Sequence, residues 1–211
     1  MRPALMVVDM QNGFCANGGS YDLLGYDVER YRSIIPNLKK VIEFFLDRDM
    51  PIFFTKAVRE KSGIDSLYRV HKILPKNRGE RIRKVPICIR DTWDSAIIDE
   101  LQYSSEKIHI VEKRRDSAFQ DTELELWLRS FRVDTLVFTG IDTYICVESS
   151  VRDGFNKGFD IILISDCIAS RKQDLHSSTL NEIEDSYGIV IPQDELIERL
   201  STSQSGRPVF V

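Results

Sequence analysis

The chain of 211 residues has no uninterrupted apolar run near the roughly 18–20 residues that a membrane span needs. Its apolar start, Ala4-Leu5-Met6-Val7-Val8, meets Asp9 too early for the core of a signal peptide. A soluble cytoplasmic protein with no membrane partner is the expectation. An excess of one charge is also missing: 29 Lys and Arg stand against 33 Asp and Glu, for a net charge of −4. Without a cationic field there is no reason to expect nucleic acid as a partner, and a small-molecule substrate is the better reading. Cysteine is scarce and scattered, at Cys15, Cys88, Cys146 and Cys167, with no C-x-x-C pair and no histidine at ligand spacing. A disulfide framework and a zinc knuckle are therefore excluded. G-x-S-x-G, a Walker A loop, H-E-x-x-H and G-x-G-x-x-G are absent as well, which removes the common serine hydrolase, phosphate-loop, zincin and dinucleotide readings.

What the chain does contain is a 42% hydrophobic composition, ample for a core and incompatible with whole-chain disorder. Short apolar runs rich in β-branched residues recur at Ala4–Val8, Pro51–Thr55, Ile108–Glu112, Thr135–Thr139, Asp160–Ser165 and Gly188–Ile191. They lack strict polar alternation, which suits strands buried on both faces of a parallel sheet. Between them Ile34, Leu38, Val41, Ile42 and Phe45 form a helical stripe that stops before Met50-Pro51. Leu124, Leu128 and Phe131 mark a second helix, and Val147, Val151 and Phe155 a third that Gly158 is placed to end. Strand and helix thus alternate, which predicts right-handed crossovers and an α/β fold, a three-layer α/β/α sandwich on a mainly parallel six-stranded sheet. No repeat or linker divides it, so 1–211 reads as one domain with a polar, flexible tail from about 202.

Residues 56–90 break the alternation. They are basic, with Lys56, Arg59, Lys61, Arg69, Lys72, Lys76, Arg78, Arg81, Arg83 and Lys84, and show little apolar periodicity. The stretch is either a lid or binding loop, or a solvated basic loop or subunit contact.

Ligands of open parallel sheets bind beyond the carboxyl ends of the strands. There the first strand ends in Asp9, the third runs into Lys113, and the fourth leads through Thr139-Gly140-Ile141-Asp142-Thr143 to a helix with Cys146 in its first turn. Unpaired N–H groups at a helix start favour a thiolate, Asp9 is placed to take the thiol proton, and a lysine beside them holds the acid ionised. On spacing alone an inert packing group is the commoner reading of such a cysteine, and a nucleophile the other.

The strings ALMVVDMQNGF (4–14), VEKRRDSAF (111–119) and VFTGIDTYICVESSVRDGF (137–155) resemble the isochorismatase-like cysteine hydrolases, in the family's order. The resemblance covers nearly the whole chain apart from 56–90 and the tail. It implies a catalytic triad of Asp9, Lys113 and Cys146, a non-proline cis peptide between Ile141 and Asp142, and an oxyanion hole from the backbone N–H groups of Asp142 and Cys146. Within the family GGSYDLLGYDV (18–28), DTWDSAIIDEL (91–101) and CVESSVRDGF (146–155) resemble the ureidoacrylate and N-carbamoyl amidohydrolases. The Asp-x-His and further His of metal-binding nicotinamidases are replaced by Thr55-Lys56-Ala57-Val58-Arg59, so neither a metal nor any other cofactor is expected. Isochorismatases proper generally lack the cysteine, and its presence favours amide chemistry.

One position departs from the family: Asp142 stands where a small residue is usual. It either faces the pocket or caps the following helix, and the cap is the expectation. Phe119, Trp93 and Phe14 are candidates for lining the pocket, with core packing as the other reading. Arg59 is a candidate carboxylate anchor or a solvent-facing residue. Gln11 and Asn12 read as structural support, His109 as structural, His71 and His176 as uninvolved, and Cys15, Cys88 and Cys167 as packing residues. The resemblance implies a cysteine-dependent amidohydrolase that cleaves a small ureido or N-carbamoyl compound through a thioester, releasing ammonia or carbamate. A nicotinamidase-like or other carboxamide hydrolase and a non-catalytic binding protein are the alternatives. Relatives commonly assemble, so a homodimer or tetramer is expected.

Overall fold

The apolar runs fold into six strands: β1 (Pro3–Val8), β2 (Ile52–Ala57), β3 (Ile108–Lys113), β4 (Thr135–Ile141), β5 (Asp160–Ala169) and β6 (Ile189–Ile191). The computed structural model describes residues 1–65 and 85–202. The predicted flexible tail and most of the basic stretch, including His71, lie outside the described residues. The strands form one sheet in the order β3-β2-β1-β4-β5-β6, and every pairing is parallel. The expected excursion begins later than the composition suggests. Lys56 and Ala57 belong to β2, where they pair with Glu112 and Lys113, and the Ala57 N–H also donates to Gln11 Oε1 at 2.7 Å.

Alternate side chains explain the near-continuous hydrophobic runs. Along β1, Ala4, Met6 and Val8 join the core on one face, while Leu5 and Val7 join the core on the other. Helix α4 (Ile35–Leu46) lays Leu38, Val41, Ile42 and Phe45 on the second face, together with Leu196 and Leu200 of α8 (Gln193–Thr202). Single-turn helices α1 (Asn12–Cys15), α2 (Ser20–Leu23) and α3 (Glu29–Arg32) precede α4. The opposite face is covered by α5 (Leu124–Ser130), α6 (Glu148–Asn156) and α7 (Gln173–Ser186), through Leu124, Leu128, Val151 and Ile183. Each such side chain, fully buried, contributes about 1.5–3 kcal/mol. Gly158 ends α6 at φ +81°, as its position predicts. No helix among the described residues is long and apolar enough to cross a membrane.

The order of strands sets the place of chemistry. The chain moves outward from β1 to β2 and β3, then crosses to β4 on the other side of β1 and continues to β5 and β6. Between β1 and β4 the connections diverge, which makes the carboxyl ends of these two strands the switch point where open parallel sheets bind their ligands. Gly140 permits the close approach there: its φ is +97°, and a Cβ would lie 2.2 Å from the Val8 carbonyl oxygen.

Candidate active site

Asp9 leaves β1 in the left-handed region, at φ +53°, which turns its side chain out of the strand alternation. Thr55, fully buried on neighbouring β2, holds it twice. The Asp9 N–H donates to Thr55 Oγ1 at 3.1 Å, and the hydroxyl donates to Asp9 Oδ1 at 2.6 Å. The other oxygen, Oδ2, lies 2.8 Å from Lys113 Nζ, with both side chains essentially sealed from solvent. Lys113 also donates to the carbonyls of Arg115 and Asp116, at 3.2 and 3.1 Å. Burial by itself favours the neutral amine, yet Lys113 is held above its ordinary value, chiefly by the Asp9 carboxylate. The lysine is a fixed cation.

Cys146 sits in a π-helical turn, Thr143–Val147, between β4 and α6, and remains partly exposed. Burial raises its thiol well above the ordinary range; Lys113 opposes this and Asp9 adds to it. The helix-start argument from sequence is therefore corrected. Desolvation by the packing around the turn works against a thiolate, so making a nucleophile of this sulfur would need a base beside it.

The turn is secured from two sides. Ser150 Oγ donates to the Cys146 carbonyl at 2.7 Å and accepts the Ala118 N–H at 2.9 Å, tying the loop after Lys113 to the cysteine. Thr143 Oγ1 donates its hydrogen to the Ala169 carbonyl at 3.0 Å, so its 2.9 Å contact with His176 Nδ1 has the imidazole as donor.

The peptide between Ile141 and Asp142 is cis, as the resemblance implies. Asp142 corrects a second expectation, because its side chain does not cap the following helix. It is buried, and it accepts hydrogen bonds from the Tyr31 hydroxyl at 3.2 Å and from Ser170 Oγ. Burial and then Asp142 push the Tyr31 phenol up, so the donor keeps its proton.

The supporting residues behave as their types suggest. Gln11 Nε2 donates to the carbonyls of Ala57 and Ser95, at 3.0 and 2.9 Å, and Asn12 Nδ2 to that of Trp93 at 2.9 Å. His109 stacks among Phe53, Phe131 and Trp127, a structural place. Cys15, Cys88 and Cys167 are buried packing groups. The four substrate-binding candidates separate. Phe14 is packed in one core, edge-on to Tyr21, and Phe119 in the other, beside Phe159. Trp93 is 54% exposed in a 3₁₀ turn, and Arg59 donates through Nη1 to the carbonyls of Val58 and Arg114. Tertiary structure thus gathers Asp9, Lys113 and Cys146 and leaves these four on the surrounding elements. Sequence reasoning missed Thr55 and Ser150; Ser150 lies inside a string that carries the resemblance, Thr55 lies outside all of them, and only their contacts reveal them. Among the described residues no group of His, Cys, Asp and Glu is arranged to hold a metal ion.

Comparison with known proteins adds three findings. The isochorismatase domain matches residues 3–195. The ureidoacrylate amidohydrolase of Acinetobacter baylyi is 31% identical, covering 95% of this chain and 84% of that protein, and its Serratia proteamaculans counterpart is 33% identical, covering 96% and 84%. The crystal structure of an isochorismatase-like hydrolase from Alkaliphilus metalliredigens superposes with a TM-score of 0.74 at 27% identity, covering 95% of this chain and 99% of that one.

Proposed function

The chain belongs to the isochorismatase family and is an amidohydrolase; we propose that it is a cysteine-dependent one, cleaving a small ureido or N-carbamoyl compound of ureidoacrylate type. The observation that carries the mechanism is the sealed Asp9–Lys113 pair beside the Cys146 thiol, at the switch point between β1 and β4.

Asp9 Oδ2 takes the thiol proton as sulfur attacks the carbonyl carbon. Lys113 keeps the carboxylate compensated beforehand and is itself too firmly protonated to serve as the acid. The backbone N–H groups of Asp142 and Cys146 receive the developing oxyanion, a contribution of about 2.7–4 kcal/mol per donor in comparable sites. Protonated Asp9 then delivers its proton to the departing nitrogen, the C–N bond breaks, and an acyl or carbamoyl thioester remains. Water, deprotonated by the same carboxylate, adds to the thioester and expels the sulfur, which recovers its proton. From a ureide the product carbamate decays to carbon dioxide and ammonia.

The test is ammonia release from a panel of ureido acids, simple ureides and carboxamides, with wild type and Cys146→Ala compared in the presence of a chelator. Release that requires Cys146 and is greatest with N-carbamoyl compounds is the expected result. Preference for aromatic carboxamides reassigns the substrate, and release undiminished in Cys146→Ala refutes the cysteine mechanism.

A further inference from the structure

Thr55 lies two strands' width from the cysteine turn, on β2, yet its hydroxyl has both of its roles committed to Asp9. A backbone N–H can only donate, so the 3.1 Å contact from Asp9 N makes Thr55 Oγ1 an acceptor there. Its single hydrogen is left for Asp9 Oδ1, at 2.6 Å. Oδ1 therefore faces a donor that has nowhere else to point. Oδ2 differs: it is buried, it lies 2.8 Å from the Lys113 cation, and no well-aligned hydrogen bond saturates it. One carboxylate oxygen is occupied and the other is held open toward charge.

We infer that Thr55 is a positioning residue that fixes the plane of the Asp9 carboxylate, by locking Oδ1 in a hydrogen bond so that the oxygen beside Lys113, Oδ2, is presented to the Cys146 thiol. In the step concerned the S–H bond breaks, its proton forms a bond to Oδ2, and the electron pair stays on sulfur; no further reactant is needed. The same bonds hold Asp9 in its left-handed backbone conformation, which fixes where Oδ2 points. Without the hydroxyl only the 2.8 Å contact with Lys113 orients the carboxylate, and its plane rocks about the terminal bond, whose preference is broad. Proton abstraction then loses its fixed geometry, while substrate contacts elsewhere stay unchanged. This role deepens the cysteine mechanism proposed above and rests on it.

Thr55→Val keeps the shape and removes the hydroxyl, and Thr55→Ser keeps the hydroxyl. Positioned proton transfer is worth about 100–10,000-fold, so losing its orientation is expected to cost about 10–100-fold in kcat, with KM within about twofold. Alkylation of Cys146 by iodoacetamide reads the same step without any substrate, and is expected to slow in parallel in Thr55→Val and to return to near the wild-type rate in Thr55→Ser. In an Asp9→Asn background Thr55→Val should add nothing to the slowing. Unchanged alkylation in Thr55→Val overturns the inference, as does a Thr55→Ser variant as slow as the valine variant, which stands as the test even if Thr55→Val fails to fold. If wild type releases ammonia from nothing in the panel, the assigned reaction fails, and the alkylation rates still decide the role of Thr55.

Discussion

Lys113→Met offers the sharpest perturbation of the site, because methionine keeps an unbranched stem and deletes only the charged head. In the native protein that ammonium lies 2.8 Å from Asp9 Oδ2, with side-chain exposures of 1% and 2%, and it also serves the carbonyls of Arg115 and Asp116. Its removal strands a carboxylate that water cannot reach. Breaking a buried pair from one side costs about 3–5 kcal/mol, a large share of the roughly 5–15 kcal/mol that holds a domain folded. For a chain of this size the melting temperature should fall by about 6–20 °C. An exposed pair behaves differently: Arg30 and Asp27 are 48% and 63% exposed, and Arg30→Met should stay within about 1 kcal/mol of wild type. Urea denaturation followed by circular dichroism measures both, with an unchanged m-value showing that the two-state comparison holds. Adding Asp9→Asn to Lys113→Met removes the stranded charge and should recover at least about 2 kcal/mol. A Lys113→Met protein within about 1 kcal/mol of wild type, or a double variant no more stable than the single, refutes the account of a sealed, mutually dependent pair.

Other consequences follow from the same geometry. Cys15, Cys88 and Cys167 are held above the ordinary thiol value of 9.0, chiefly by burial, so above that pH the unfolded chain releases protons that the folded one retains. Stability should accordingly be undiminished below about pH 8 and fall as pH rises past 9, with a slope approaching about 1.4 kcal/mol per pH unit for each thiol; unfolding midpoints across that range, with Cys167→Ala flattening the slope, provide the check. Gly140→Ala places a methyl 2.2 Å from the Val8 carbonyl oxygen at a φ of +97°, and should cost more than the about 1–3 kcal/mol of backbone strain alone while slowing Cys146 alkylation. Leu38→Ala, at a fully buried position of α4, should cost about 2–5 kcal/mol in chemical denaturation. Leu23→Ala, at a position 66% exposed, should change stability by no more than about 0.5 kcal/mol.

The alternation of strand and helix is legible in the sequence because its signals are local. Leu38, Val41, Ile42 and Phe45 recur at helical spacing, and the doubly apolar strands can only belong to a sheet covered on both faces. Strand ends are less legible: Lys56 and Ala57 extend β2 because Glu112, Lys113 and Gln11 offer partners that no local pattern announces. The Asp9, Lys113 and Cys146 set is legible from three separated strings and from their place at strand ends. Its protonation state is not, since the spacing of Cys146 suggests a helix start that favours a thiolate, while desolvation depends on everything packed around the turn. Asp142 makes the same point, because Tyr31 and Ser170, distant in sequence, claim the carboxylate that a local reading assigns to a cap.

By itself, then, the sequence determined the periodicity, the order of the elements and the chemical types available at the strand ends, all of which depend on neighbours along the chain. Only the tertiary structure decided the strand order that places β1 beside β4, the burial that makes Asp9 and Lys113 a sealed pair, and the Thr55 hydroxyl that engages Asp9 from the next strand. Those depend on groups brought together through space, where desolvation and hydrogen-bond geometry act without regard to separation along the chain.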